Sequence, residues 1–147
     1  LFLIYLTSKI FNSYDILCFF MKSISFLCKS IRYKMIKIFH NPRCGKSREG
    51  LQILENSGKD FEVVKYLENV PSISELKFII DTLKIKPIDL VRQKEKIWIE
   101  NFKGKSLSDN EIVIAMIENP ILIERPIVIN GNKVALGRPP ENIKEIL

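Results

Sequence analysis

Ile36-Lys37-Ile38-Phe39-His40-Asn41-Pro42-Arg43-Cys44-Gly45-Lys46-Ser47-Arg48 passes from an alternating apolar run, through a turn, into a segment of helical period, with a cysteine at the junction. The alternation over Ile36–Phe39 predicts a short strand, and His40-Asn41-Pro42 turns the chain. Ser47, Leu51 and Leu54 follow one another at i, i+4 and i+7, which predicts a helix opening near Cys44, and Gly58 supplies its stop. A thiol at a helix start faces unpaired backbone N–H groups and the positive end of the macrodipole, both of which favour the thiolate. Free cysteine is also commonly a small buried hydrophobe. Arg43, Lys46 and Arg48 argue against apolar burial here and are expected to surround Cys44 with positive charge, lowering its pKa.

Working outward, Phe61–Tyr66 is rich in β-branched and aromatic residues and reads as a second strand, completing a β-α-β unit with a parallel pair. Ser72-Ile73-Ser74-Glu75 is a capping box ahead of an apolar stripe of Leu76, Ile79, Ile80 and Leu83. Lys84–Gly104 reads as irregular and charged. Ser108-Asp109-Asn110-Glu111 opens another helix, with Ile112, Ala115 and Met116 on one face, and Asn119-Pro120 ends it. Ile127-Val128-Ile129 and Lys133–Leu136 flank Asn130-Gly131 as a β-hairpin. Pro139 and Pro140 then suit a helix start, with Ile143, Ile146 and Leu147 toward the core. This order closes as an α/β fold, a four-stranded mixed sheet flanked by helices.

The chain has 147 residues, enough for one domain, and its net charge of +6 is unevenly spread. Five of the 23 basic side chains but one of the 17 acidic ones fall in residues 1–34, so the remainder is nearly balanced and makes no case for a nucleic-acid face. Residues 1–34 show no helical period, and their longest apolar runs, Leu1–Leu6 and Ile16–Met21, are far short of the ~20 residues that span a bilayer. They are expected to be a leader extension outside the fold, with Met35 as the natural start and residues 35–147 as the domain; weak membrane association is the alternative. Cys18 and Cys28 lie in that segment, so the domain has neither a disulfide framework nor paired metal-ligand spacing. One free thiol without an export signal points to a reducing, cytoplasmic setting. Any disulfide that Cys44 forms must then involve another molecule.

Arg92, Arg125 and Arg138 each interrupt an apolar or turn-forming context, and Arg125 and Arg138 bracket the hairpin. Guanidinium forks bind tetrahedral oxyanions bidentately, so a convergent set beside a thiolate would form an oxyanion pocket. Spacing does not say whether Arg92 joins the others. His40 could tune the thiolate or hold the turn structurally. Trp98 with Lys94, Lys96, Lys103 and Lys105 could suggest single-stranded nucleic acid, but a solvated lysine face is the preferred reading.

His40-Asn41-Pro42-Arg43-Cys44 with Ser47-Arg48, Tyr66-Leu67-Glu68, Arg92-Gln93-Lys94-Glu95, Glu124-Arg125-Pro126-Ile127-Val128 and Gly137-Arg138-Pro139-Pro140-Glu141 resemble, in order, the glutaredoxin-coupled arsenate reductase family. The likeness runs through residues 35–147 and is closer to the small arsenate-reductase-like proteins. It implies a thioredoxin-like fold with an inserted helical region and a cis proline at Pro126. It also implies Cys44 as nucleophile, Arg92, Arg125 and Arg138 as oxyanion ligands, and His40 and Arg48 in support. The implied reaction reduces arsenate to arsenite through a cysteine thioarsenate in a monomer with no bound cofactor or metal; glutathione and glutaredoxin are the external reductants. Lys46 in place of threonine and an end at Leu147 fit the shorter subgroup.

Three other readings compete. A thioredoxin-fold regulator binding RNA polymerase often uses Cys-x-x-Cys, and Ser47 occupies the second position here. A general thiol oxidoreductase acting on glutathionylated proteins would need Cys44 but tolerate loss of Arg92 and Arg138. Phosphatase-like chemistry is disfavoured, because the Cys44–Arg48 interval is two residues short of a Cys-x5-Arg loop.

Overall fold

The computed structural model describes residues 35–147, so the expected leader extension lies outside the described residues. Strand β1 (Ile36–His40) leads through the Asn41–Cys44 loop into helix α1 (Gly45–Asn56), and β2 (Phe61–Lys65) pairs with β1 in parallel. Helix α2 (Ile73–Leu83) follows, then a 3-10 turn (Pro87–Leu90), α3 (Lys96–Asn101), α4 (Asp109–Glu118) and a second 3-10 turn (Pro120–Leu122). Strands β3 (Ile127–Asn130) and β4 (Lys133–Leu136) form the expected hairpin, and a 3-10 segment (Pro140–Ile146) closes the chain. The sheet order is β2-β1-β3-β4, with β3 antiparallel to both β1 and β4.

Apolar side chains cover both faces of the sheet. Ile36 and Ile38 of β1 and Val128 of β3 pack with Leu54 of α1 and Ile143. Phe39, Ile127 and Val134 belong to the larger opposite cluster, with Leu76 and Ile79 of α2 and Ile112, Val113 and Met116 of α4. As a central strand, β1 therefore buries four of its five residues, which is why its apolar alternation breaks down at Phe39.

Local signals are mostly realised. Gly58 takes φ +67° just after α1, the left-handed conformation its place as a stop requires. Ser108 and Glu111 close a reciprocal capping box. At α2 only half of the expected box forms: Ser72 accepts from the Glu75 N–H, while the Glu75 carboxylate reaches Lys37 Nζ at 3.0 Å. That ion pair links α2 to β1.

Lys84–Gly104 corrects the expectation of irregular chain. It contains a 3-10 turn and the short α3, and Trp98 is buried and stacks on Phe102 with ring centroids 5.2 Å apart. Trp98 is core rather than a stacking platform for bases. The closing segment starts at its prolines as expected, but winds as a 3-10 helix.

Two arrangements hold the loop that carries Cys44. Ser47 Oγ accepts the Asn41 N–H at 3.0 Å and lies 2.8 Å from His40 Nδ1, a buried tie between the end of β1 and the first turn of α1. On the other side of α1, a Cβ on Gly50 would stand 2.8 Å from both Pro126 Cγ and Ile143 Cδ1. One on Gly137 would stand 2.7 Å from Pro126 Cγ. The two glycines thus let α1 and β4 close on the Pro126 ring, directly beside Arg125.

Gly50→Ala is therefore expected to destabilise: overpacking costs ~1–3 kcal/mol, against a helix-propensity gain of ~1 kcal/mol. A lowered urea midpoint is the expected result, and an unchanged one would show that the ring gives way. Ser47→Ala strands a buried N–H and a ring nitrogen and should cost about 1–3 kcal/mol in the same measurement.

Candidate active site

The topology delivers distant residues to one end of the sheet. β1 and β2 are parallel and in register from Ile36↔Phe61 to His40↔Lys65, so the Asn41–Cys44 loop and Tyr66 leave from the same edge. β3 runs antiparallel to β1 with Phe39↔Ile127, so Arg125-Pro126 enters at that edge. β4 ends opposite Ile127 at Leu136, and Gly137-Arg138 leaves there too. Loops beyond the carboxyl ends of parallel strands are common ligand sites in α/β sheets.

Arg92 joins through an isolated bridge, Val91↔Ile123, which sequence spacing did not disclose. Its N–H donates to Leu122 O at 2.7 Å, and the Glu124 N–H donates to Leu90 O at 2.9 Å. The side chains then meet: Arg92 and Arg125 both donate from Nη1 to Ile121 O, at 3.5 and 3.4 Å. Arg138 Nε donates to Arg125 O at 3.2 Å. It also lies 2.7 Å from Glu124 Oε2, a charge contact without hydrogen-bond alignment. All three arginines proposed from sequence are thus brought together. The Arg125–Pro126 bond is cis, and so is Arg138–Pro139, which was not foreseen.

Cys44 is the N-cap of α1, half-buried, with extended backbone (φ −99°, ψ 122°). Burial pushes its thiol up, but the Ser47 N–H, the Arg125 guanidinium (by hydrogen bonding and by charge) and the Lys46 N–H outweigh it, and the net shift is downward. Those N–H groups face the sulfur from the positions a capping oxygen would satisfy, though no formal cap bond closes.

The expected ring of Arg43, Lys46 and Arg48 side chains around the sulfur does not form as pictured. Lys46 Nζ pairs with Glu49 at 2.8 Å, and Arg48 Nη1 donates to Pro42 O at 2.8 Å. Exposed basic side chains take the nearest acceptor, so adjacency in sequence was a poor guide. Arg48 holds the loop and lies close enough to His40 to help lower its pKa, a shift due first to burial and opposed by the Ser47 backbone. His40 is thus a buried partner of Ser47 and reaches the sulfur only through the placement of that residue.

Four further residues complete the site, three of them quoted above only as motif members. Glu124 sits against Arg138, and Glu95 pairs with Arg92. Asn41 Oδ1 accepts the Arg43 N–H at 2.9 Å and fixes the turn. Tyr66 is fully buried, and burial, ahead of opposing effects from Arg125, Asn41 and Arg92, pushes its hydroxyl pKa up. The Arg92 pKa is lowered, first by burial and then by the like charge of Arg125. Tyr66 Oη and Arg125 Nε are buried without a hydrogen-bond partner among the described residues. Two unpaired donors beside mutually repelling guanidiniums make a setting suited to an anion. Among the described residues no group of three or more His, Cys, Asp or Glu could hold a metal ion, and no helix is long and apolar enough to cross a membrane.

Comparison with known proteins gives the family and the fold. A protein of Escherichia coli K12 called uncharacterized protein YfgD is 44% identical over 116 residues, covering 78% of this chain and 98% of that protein. An arsenate reductase of Neisseria meningitidis serogroup B is 44% identical over 114 residues, covering 76% of this chain and 97% of that protein. The solved structure of an arsenate reductase from Vibrio cholerae superposes with a TM-score of 0.73 at 46% identity, covering 78% of this chain and 98% of that one. The sheet and its flanking helices are the thioredoxin-like fold of these proteins. The ArsC family pattern matches residues 39–146, spanning every element from the end of β1 to the closing 3-10 segment, and the chain belongs to the ArsC family.

Proposed function

We propose that this chain is an arsenate reductase that draws its electrons from glutathione and glutaredoxin. The observation carrying the proposal is the convergence of Arg92, Arg125 and Arg138 at the sheet edge that carries Cys44. In this reading the guanidiniums hold the arsenate oxygens, and the Cys44 thiolate attacks arsenic(V). A sulfur–arsenic bond forms and one oxygen leaves as hydroxide or water, giving a cysteine thioarsenate. The arginines hold the charge on the remaining oxygens as that bond breaks.

Reduction to arsenic(III) takes two electrons, and both come from sulfur. Glutathione joins the intermediate, arsenite departs with the electron pair, and Cys44 is left in a mixed disulfide with glutathione. Cys44 is the one free cysteine among the described residues, so glutaredoxin is assigned the task of restoring it. The scheme needs a reducing compartment such as the cytoplasm, where a lone thiol persists.

Steady-state turnover of arsenate with glutathione and glutaredoxin is expected for the wild type and not for Cys44→Ser; equal rates would reject the proposal. Arg92→Ala and Arg138→Ala should each lower kcat/KM for arsenate by on the order of 100-fold. A general oxidoreductase would instead retain its activity on a glutathionylated substrate in both variants. The rate of alkylation by iodoacetamide should rise with pH as the thiolate forms, with a midpoint below that of an ordinary thiol. Because Arg125 lowers the thiol pKa, Arg125→Gln should move that midpoint upward.

A further inference from the structure

We propose that Tyr66 is a substrate-binding residue of this site, its phenolic hydroxyl donating a hydrogen bond to one oxygen of the bound tetrahedral oxyanion. The inference rests on the reading of an oxyanion pocket beside Cys44 and adds a neutral donor to its arginines.

Tyr66 directly follows Lys65, the register partner of His40, and so stands at the sheet edge where the Cys44 loop begins. Its ring belongs to the larger core cluster, but Oη finds no hydrogen-bond partner among the described residues. Leaving a buried hydroxyl unsatisfied is destabilising, so phenylalanine would serve better if ring packing were the whole role.

The surroundings say what is missing. The groups that act on the hydroxyl are the Arg125 guanidinium, the Asn41 side chain, the Arg92 guanidinium and the Cys44 sulfur. A guanidinium can only donate. The acceptor of Asn41, Oδ1, already takes the Arg43 N–H, so the Asn41 side chain can turn only its amide N–H₂, a donor, toward the phenol oxygen. A phenol proton in that company needs an acceptor with lone pairs, and an oxyanion brings several. Burial keeps the proton on the oxygen. Arg125 Nε, the second unpaired donor, belongs to the same group of residues. A hydroxyl also suits the geometry of charge: it adds a directed bond where a further cation would add repulsion beside Arg92, whose pKa the charge of Arg125 already helps to lower.

The Cys44 thiolate is the other acceptor within this set, and the test separates the two. Tyr66→Phe keeps the ring and removes only the oxygen. Thermal unfolding in sulfate-free buffer should give a Tm equal to or above the wild type, since no native bond is lost. The pH midpoint for alkylation of Cys44 by iodoacetamide should not move. The sulfate concentration that half-protects Cys44 from alkylation, at constant ionic strength, should rise about tenfold, with a matching rise in KM for arsenate. Unchanged protection overturns the proposal, and so does a large fall in Tm, which would give the hydroxyl a structural partner. An upward shift of the alkylation midpoint also overturns it, assigning the bond to sulfur. Failure of sulfate to protect the wild type, with no arsenate turnover, removes the oxyanion pocket and this inference together; normal wild-type protection and turnover with an indifferent Tyr66→Phe removes the inference alone.

Discussion

The sulfur of Cys44 loses stability as an anion by being half-buried, and everything the site does depends on that loss being outweighed. Backbone donors at the start of α1 contribute part of the compensation, as they would for any anion at a helix N-terminus. The remainder comes from Arg125, a side chain that enters with β3 from far along the chain. That contribution exists only because β3 lies antiparallel beside β1 and begins where β1 ends. Sheet register and thiol chemistry are in this sense one constraint.

Gathering three guanidiniums in partly buried space is itself unfavourable, and the fold distributes the strain of charge rather than removing it. Glu124 and Glu95 each neutralise one arginine, and Ile121 O accepts from two. Arg125, the most deeply buried, has no acidic partner of its own among the described residues. A dianion placed among these groups would relieve repulsion and satisfy donors at once.

The elements with strong local signals were legible in advance: β1 by alternation, α1 by period and stop, α4 by its box, the hairpin by Asn130-Gly131. What escaped depended on tertiary context. Trp98 and α3 were hidden because the flanking lysines gave the whole stretch a polar look, while one buried tryptophan, with Ile97 packed against the same core, sufficed to anchor six residues. Arg43, Lys46 and Arg48 were credited with the thiol because they are near it in sequence, yet two of them bind other acceptors. Arg92 could not be placed because a single β-bridge sets its position, and an isolated bridge leaves no periodicity. Tyr66 and Glu124 stood in plain view within motifs, but burial of a hydroxyl without a partner is visible only in three dimensions.

The separation along the chain between Cys44 and Arg125 has a consequence for biosynthesis. On the ribosome the cysteine emerges some eighty residues before the arginine that lowers its pKa. Until the β3–β4 hairpin has left the exit tunnel and joined the sheet, the sulfur lacks that guanidinium and its contribution to the thiol pKa. The donors that favour the thiolate are therefore complete only once β3 has paired with β1.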